Sequence, residues 1–422
     1  MSGTFTFSQG FELSDNEDLD STTSGATFTS RTGLGFGVQS QTRAETLQLQ
    51  IGTQVVGQYG GGASDSFDIE NTNAAFDYTR TGASARLNFS AQYSEVDLGD
   101  SVITLGPTSG GTGTLVIDDG TADITTLNVT LETGINEPFG LRLSTGYFNE
   151  DFSGTTDPSL VDNERINVDA LASFRLNPSR TVRVLAGYAT TDEIGVLNDT
   201  DDYYLGLGIS GQTRGQLTYS GDIIYDRSET NGAVTNDGLG FDVAVTQARP
   251  DGSVGVNLTS RTSDDGRRTQ ATVNRSFLLP TGDLSFALGV VDQEGDSSLR
   301  PSGSIAYTRN TPRGDLTASL SQDPSIDAGT IYSNTSIAVG YTEQINATSG
   351  WSAALSYDAA NQLGSSLDDS RATARITYSR NLTPEWQMNT GFQHVREISD
   401  GGPVESSNTV FFNVQRDIAF GF

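Results

Sequence analysis

Alternation of apolar and polar residues, repeated along nearly the whole chain, limits what this sequence can fold into more than any other feature. Near the N-terminus Phe5, Phe7, Phe11 and Leu13 alternate with Thr4, Thr6, Ser8, Gly10 and Glu12. The same spacing returns in Ile166, Val168, Ala170, Ala172 and Phe174, in Tyr203, Leu205, Leu207 and Ile209, and in Leu284, Phe286, Leu288 and Val290. Residues two apart share one face of a strand, so each segment has an apolar face opposite one of Ser, Thr, Gly, Gln and Asn. No stretch carries the period of an amphipathic helix, and none approaches the roughly eighteen consecutive apolar residues of a membrane-crossing helix. The chain reads as all-β.

About 22 such segments are present, within bounds of about 20 to 24, and each is roughly the ten residues a tilted strand needs to cross a bilayer. Their connections alternate in kind. Asn177 to Arg180, Arg249 to Gly252, Pro280 to Gly282 and Thr311 to Gly314 are short; Ser14 to Gly25, Gln58 to Thr72, Asp97 to Thr121, Ser153 to Asp162 and Glu397 to Glu405 are longer and acidic. Tyrosines recur at both ends of the segments, for example Tyr93, Tyr147, Tyr188 and Tyr225 at one end and Tyr78, Tyr307, Tyr341 and Tyr378 at the other. Together these features predict a transmembrane up-and-down antiparallel β-barrel with short periplasmic turns, longer acidic extracellular loops and aromatic girdles. The expected organisation is one barrel domain over residues 1–422, without a plug.

Charge narrows the partners. The formal net charge is −29, and all 24 basic residues are arginine. No basic field exists to displace phosphate counterions, which excludes a nucleic-acid partner. The absence of cysteine excludes disulfides and thiolate metal sites, and suits a chain matured in an oxidising compartment. The opening Met1-Ser2-Gly3-Thr4 lacks a basic-then-apolar leader, which is expected of a cytosolic protein or of a mature chain whose signal peptide is gone; the barrel pattern favours the second.

The C-terminus adds a more specific sign. Val410, Phe412, Val414, Ile418 and Phe420 alternate toward a terminal Phe422. Such a last strand resembles that of the porin-like β-barrels of the Gram-negative outer membrane, whose terminal phenylalanine is read by the barrel-assembly machinery; here Phe420 and Phe422 fill that place. The resemblance implies residence in the bacterial outer membrane among lipid and lipopolysaccharide. It also implies a water-filled channel for passive diffusion of small hydrophilic solutes. Two alternatives share the fold: an export barrel for an anionic surface polymer, and a non-conducting barrel that scaffolds a partner. TonB-dependent transporters also have 22 strands but carry an N-terminal plug, and strands here begin near Thr4, so that class is not expected. A secreted adhesin of stacked β-sandwiches would share the period but not the alternating loop lengths.

If the apolar face meets lipid, the opposite parity lines a lumen. Its charged members include Arg31, Arg86, Arg142, Arg165, Arg175, Arg183, Arg371 and Arg375, with Asp169, Asp222 and Asp242. Arg86, Arg142, Arg175 and Arg183 are expected near the periplasmic end. Two readings stand open: a selectivity ladder for anionic solutes, since guanidinium forks grip carboxylate and phosphate, or cross-strand pairing that only stabilises the wall. The longest loop carries Asp118, Asp119 and Asp123. By the porin resemblance it is expected to fold inward as a constriction; a small extracellular hairpin or two further strands are the other readings. Acidic loops such as Asp15, Glu17, Asp18 and Asp20 offer oxygen ligands for loosely held Ca²⁺ or Mg²⁺ bridging to lipopolysaccharide, or form a merely solvated face. No other cofactor is expected.

Two polar residues break the lipid-facing pattern. Gln9 sits between Phe7 and Phe11, and Arg416 between Val414 and Ile418. A closing register with Phe5 beside Phe420 and Phe7 beside Ile418 would place Gln9 next to Arg416 at mid-depth, where an arginine costs about 2–4 kcal/mol. That polar seam would suit a second copy, a partner protein or a lipid headgroup; an inward-turning β-bulge at Arg416 is the alternative. Arg275, between Val273 and Phe277, raises the same question. The single histidine, His394, shares parity with Met388 and Phe392, and Gly99-Asp100-Ser101 has no Asp-x-x-His partner. No catalytic constellation emerges, and an enzyme is not expected.

Overall fold

The computed structural model of the chain describes residues 1–16, 19, 25–60, 66–98, 103–104, 115–116, 120–155, 160–195, 199–327, 330–362, 368–398 and 402–421. Twenty-two antiparallel strands form one sheet in which each strand pairs with its neighbours in sequence. The first strand, Ser2–Ser14, pairs with the last, Glu405–Gly421, from Ser2 opposite Gly421 to Ser14 opposite Thr409, and this ladder closes the barrel. Closure removes the unpaired edges that would otherwise leave backbone groups unsatisfied. Strands run from 11 residues (Arg300–Asn310) to 17 (Ala233–Arg249, Thr330–Asn346 and the last strand), longer than the period alone indicated.

The expected alternation sorts the side chains. Large apolar groups on the outer face stand open, including Leu207 (64 % exposed), Ile223 (65 %) and Leu239 (65 %). Tyrosines at the long-loop end of that face are tied across to the next strand: Tyr93 donates to Asp123 at 2.9 Å, Tyr188 to Asp201 at 2.8 Å and Tyr225 to Asp237 at 2.7 Å. At the opposite end short turns are closed by their own side chains. The Asn177 carboxamide oxygen accepts from the Ser179 amide at 2.9 Å, and that of Asn346 from the Thr348 amide at 2.9 Å. These are the side-chain-to-backbone turns that Asn favours. Gly252, in another short turn, has φ +134°, and a Cβ there would lie 2.0 Å from the Ser276 carbonyl oxygen.

In the longest loop Ile103–Thr104 pairs with Leu115–Val116 in a separate two-residue ladder, so these segments are not wall strands. Asp118 and Asp119 lie outside the described residues, as do Phe422, Glu17, Asp18 and Asp20. Asp123 is a wall residue and takes no part in an inward-folded loop. It belongs to the wall strand Thr121–Thr133, on the outward parity of Leu127 and Leu131, and accepts the Tyr93 hydroxyl. A carboxylate beside a loop reads in sequence as loop; here it stands near the long-loop end of an outward face.

The seam also differs. Phe5 pairs with Ile418, Phe7 with Arg416 and Gln9 with Val414, two residues away from the expected register. Gln9 and Arg416 therefore do not meet. Gln9 donates to Ser30 at 3.1 Å and accepts from Thr32 at 2.7 Å. Arg416 sits opposite Trp386, the first residue of its strand, and donates to Glu385 in the adjoining turn at 2.8 Å. It is thus level with the turns rather than mid-depth. Arg275 reaches the turn likewise, lying over the Phe277 ring at 4.3 Å and donating to Asp251 at 2.6 Å. Both arginines run along apolar surface and place their charge at its end, as long cationic side chains do.

Candidate functional site

The lumen is where polar chemistry concentrates, and its two walls are built differently. One wall is formed by the strands Asn163–Asn177, Arg180–Glu193, Thr200–Gln212, Leu217–Thr230, Ala233–Arg249 and Gly252–Ser263. Here charged groups bond across an intervening strand. Arg183 reaches Asp222 two strands away, with Nη2 at 2.6 and 2.8 Å from the carboxylate oxygens. The strand between offers Gly208, where a Cβ would stand 1.7 Å from Asp222 Oδ1. Tyr204 donates to Asp169 at 2.6 Å over Gly187, where a Cβ would stand 2.1 Å from the tyrosine ring. Arg261 grips Asp226 with Nη2 at 2.7 Å and Nε at 3.1 Å, reaches Asp242 at 3.4 Å, and lies 5.4 Å from the Tyr204 ring centroid. Asp226 is almost wholly buried and also accepts the Thr262 amide at 3.2 Å. Glycine on the middle strand acts as a saddle: without a side chain there, groups on either side lie flat against the wall and meet.

The seam wall comprises the strands Ser349–Gln362, Asp368–Asn381, Trp386–Ile398, the last and first strands, and Thr27–Gln41. It encloses a recess of about 680 Å³ whose lining includes Arg31, Arg371 and Arg375. Arg31 bridges Glu12 at 3.2 Å and Glu70 at 3.1 Å. Arg371 is buried and pairs with Glu397 at 3.5 Å. Arg375 is different. It is exposed to the recess, stacks over the Phe411 ring at 4.3 Å, and donates only weakly to Gln393 at 3.4 Å. Among the described residues it makes no ion pair. Phe411 itself is buried, its ring crossing Gly391, where a Cβ would stand 2.6 Å from the ring.

The remaining sequence-flagged arginines are distributed between these walls and the short-turn end. Arg142 lies 3.8 Å from Glu132, Arg86 stands opposite Glu132 in the register, and Arg175 lines a small recess with Arg142 near the turns. Arg165 lines a recess of about 660 Å³ with Tyr204 and Arg261. Arg31, Arg142, Arg183 and Arg371 each have a carboxylate of the chain as ion partner. Sequence parity missed Arg261, Asp226, Tyr204 and Phe411. For Arg261, Asp226 and Tyr204 the signal was present as a luminal-parity glycine between two luminal polar residues, but only a three-strand register shows it.

At the long-loop end Leu98, Ala122 and Leu160 form a buried apolar cluster with Val96, Ile124 and Phe152 packed against it. Asp15, directly after the first strand, accepts the Asn408 amide at 2.7 Å and its side chain at 2.8 Å. No cluster of three or more metal-ligating side chains occurs among the described residues. His394 shares its ring nitrogen with the Asn408 carboxamide at 2.9 Å on the outer face.

No family model matches this sequence, and no curated relative matches it. Solved structures do. The FrpB iron transporter of Neisseria meningitidis aligns over 99 % of this chain and 82 % of its own, with a TM-score of 0.63 at 8 % identity. The ferric-catecholate import receptor Fiu of E. coli aligns over 99 % and 82 %, with a TM-score of 0.61 at 13 % identity. The ferric enterobactin receptor PfeA of Pseudomonas aeruginosa aligns over 99 % and 81 %, with a TM-score of 0.58 at 10 % identity. The chain has the fold of outer-membrane receptor barrels. This overturns the passive-diffusion porin reading. The matched barrels include receptors for iron chelates and an iron transporter. The reason is physical. Alternation, turn lengths and a terminal aromatic describe a barrel wall, which porins and receptors have in common.

Proposed function

We propose that this chain is the barrel of an outer-membrane uptake receptor, which takes a solute into its lumen and passes it inward by an energised process. The observation that carries the reading is the closed 22-strand wall, aligned over 99 % of its length with receptors that import iron chelates. The open apolar outer face fits a bilayer better than water, because exposed apolar surface of that extent is not tolerated on soluble monomers. The tyrosine-to-aspartate bonds at the long-loop end fit the headgroup level, where an amphipathic ring has its apolar body in lipid and its hydroxyl in polar surroundings. The fold does not carry the cargo of its neighbours with it; the lumen has to supply that.

The test is accumulation in cells that express the protein, compared with cells lacking it, before and after collapse of the proton-motive force. Ferric catecholate chelates and sugar acids serve as the solute panel. Uptake that stops on de-energising supports the receptor reading. Uptake that continues unchanged, in proportion to external concentration, overturns it.

A further inference from the structure

We propose that Arg375, held over the Phe411 ring in the seam-wall recess, is a carboxylate-binding subsite for a hydroxyl-rich organic anion such as a sugar acid. The inference deepens the uptake reading and rests on it for its physiological role. The aromatic ring holds the guanidinium by cation–π attraction without occupying its hydrogen-bond donors. Its donors lie in the guanidinium plane and stay available at the edge, arranged in the fork that matches a carboxylate. Arg375 is pinned in this way at 4.3 Å from the Phe411 centroid, and its one hydrogen bond, to Gln393, is long at 3.4 Å. By contrast, Arg31, Arg183, Arg261 and Arg371 each have a carboxylate of the chain itself as partner.

The surroundings select further. The recess of about 680 Å³ has room for a monosaccharide-sized solute, and Ser8, Thr377, Asn389, Gln393, Thr409 and Asn413 are among its lining residues. Hydroxyls and carboxamides of this kind both donate and accept, which is what the hydroxyls of a sugar require. A simple inorganic anion would use the fork but not this lining. Phe411, buried beneath Arg375 across Gly391, fixes the fork before a ligand arrives, so little ordering is left to oppose binding.

Calorimetric titration of the full chain, purified in detergent, tests the assignment with galacturonate, galactose and inorganic phosphate as probes. The native protein is expected to bind galacturonate at least tenfold more tightly than galactose. Arg375→Gln should lower galacturonate affinity about tenfold or more, as loss of a charge-assisted hydrogen bond does, and leave galactose unchanged. Arg375→Lys should restore only part, because it keeps the charge but loses the fork. Heat-modifiable mobility on electrophoresis verifies that each variant is folded. Equal galacturonate affinity in native and Arg375→Gln protein overturns the proposal. So does tighter binding of phosphate than of galacturonate. Failure of the uptake reading would look different: binding would retain its dependence on Arg375 while accumulation in cells proved independent of energy.

Discussion

The two luminal walls carry the same residue types, and one arginine of the seam wall is used differently from the rest. On the wall from Asn163 to Ser263, Arg183 and Arg261 are clamped by Asp222, Asp226 and Asp242. On the seam wall Arg375 has an aromatic support in place of a carboxylate. The difference teaches that a count of luminal arginines is not a measure of luminal positive charge. A guanidinium spent on the chain's own carboxylates contributes rigidity, while one braced on a ring remains available to a solute. Removing a member of each set should therefore have opposite consequences.

The largest expected effect comes from Arg261→Met. It leaves Asp226 buried without its counter-ion, and breaking such a pair costs about 3 kcal/mol or more. Guanidinium unfolding of vesicle-inserted protein, followed by the fluorescence of Trp351 and Trp386, measures it. Arg375→Gln in the same assay should cost under about 1 kcal/mol, as for an exposed group without an ion partner. Equal losses in the two variants would erase the distinction between the walls.

The saddle glycines sharpen the comparison at the next level. A methyl group at Gly208 would stand 1.7 Å from Asp222 Oδ1, so Gly208→Ala must push the carboxylate away from Arg183. Overpacking of this kind costs roughly 1–3 kcal/mol. Gly221, one strand over, is the control, because nothing lies within 4 Å of a Cβ there. Gly221→Ala should be neutral or slightly stabilising, since glycine weakens a strand interior. Similar destabilisation by both substitutions would show that glycine serves the backbone and not the bridge.

These residues also mark how far the sequence could be read. Wall, strand number and closure followed from period two, because parity is a local property that each strand declares for itself. The seam register did not follow. A slip of two residues keeps every side chain on its own face, so parity is blind to the shift that separates Gln9 from Arg416. The saddle bridges were hidden for a related reason: Arg183 and Asp222 are 39 positions apart, and their meeting depends on the registers of two ladders and on Gly208 between them. Arg416 misled through depth. The last strand outruns its neighbour Trp386–Ile398, and a residue well inside it stands level with a turn.

Arg416 accordingly separates the outer surface from the lumen. It donates to Glu385 at 2.8 Å and lies 5.6 Å from the Trp386 ring centroid, with both ionic partners well exposed. Arg416→Leu should change stability by less than about 1 kcal/mol, the usual worth of an exposed pair. A gain of several kcal/mol in the same unfolding assay would restore the mid-depth placement and contradict the observed register.

The smallest effect belongs to the turn pair Asp251 and Arg275, and it is visible only through pH. The hydrogen bond from Arg275, at 2.6 Å, is the main cause that holds the Asp251 carboxyl below its ordinary value of 3.8. A carboxylate whose pKa is depressed by folding stabilises the fold above the unfolded value and loses that contribution as pH falls through the folded one. Asp251→Asn should therefore differ slightly from the native protein at neutral pH and by the same amount down to about pH 5, with the gap closing only in the acid range below 3.8. A gap between native and Asp251→Asn protein that closed already between neutral pH and 5 would place the titrating group elsewhere and remove Arg275 as the cause.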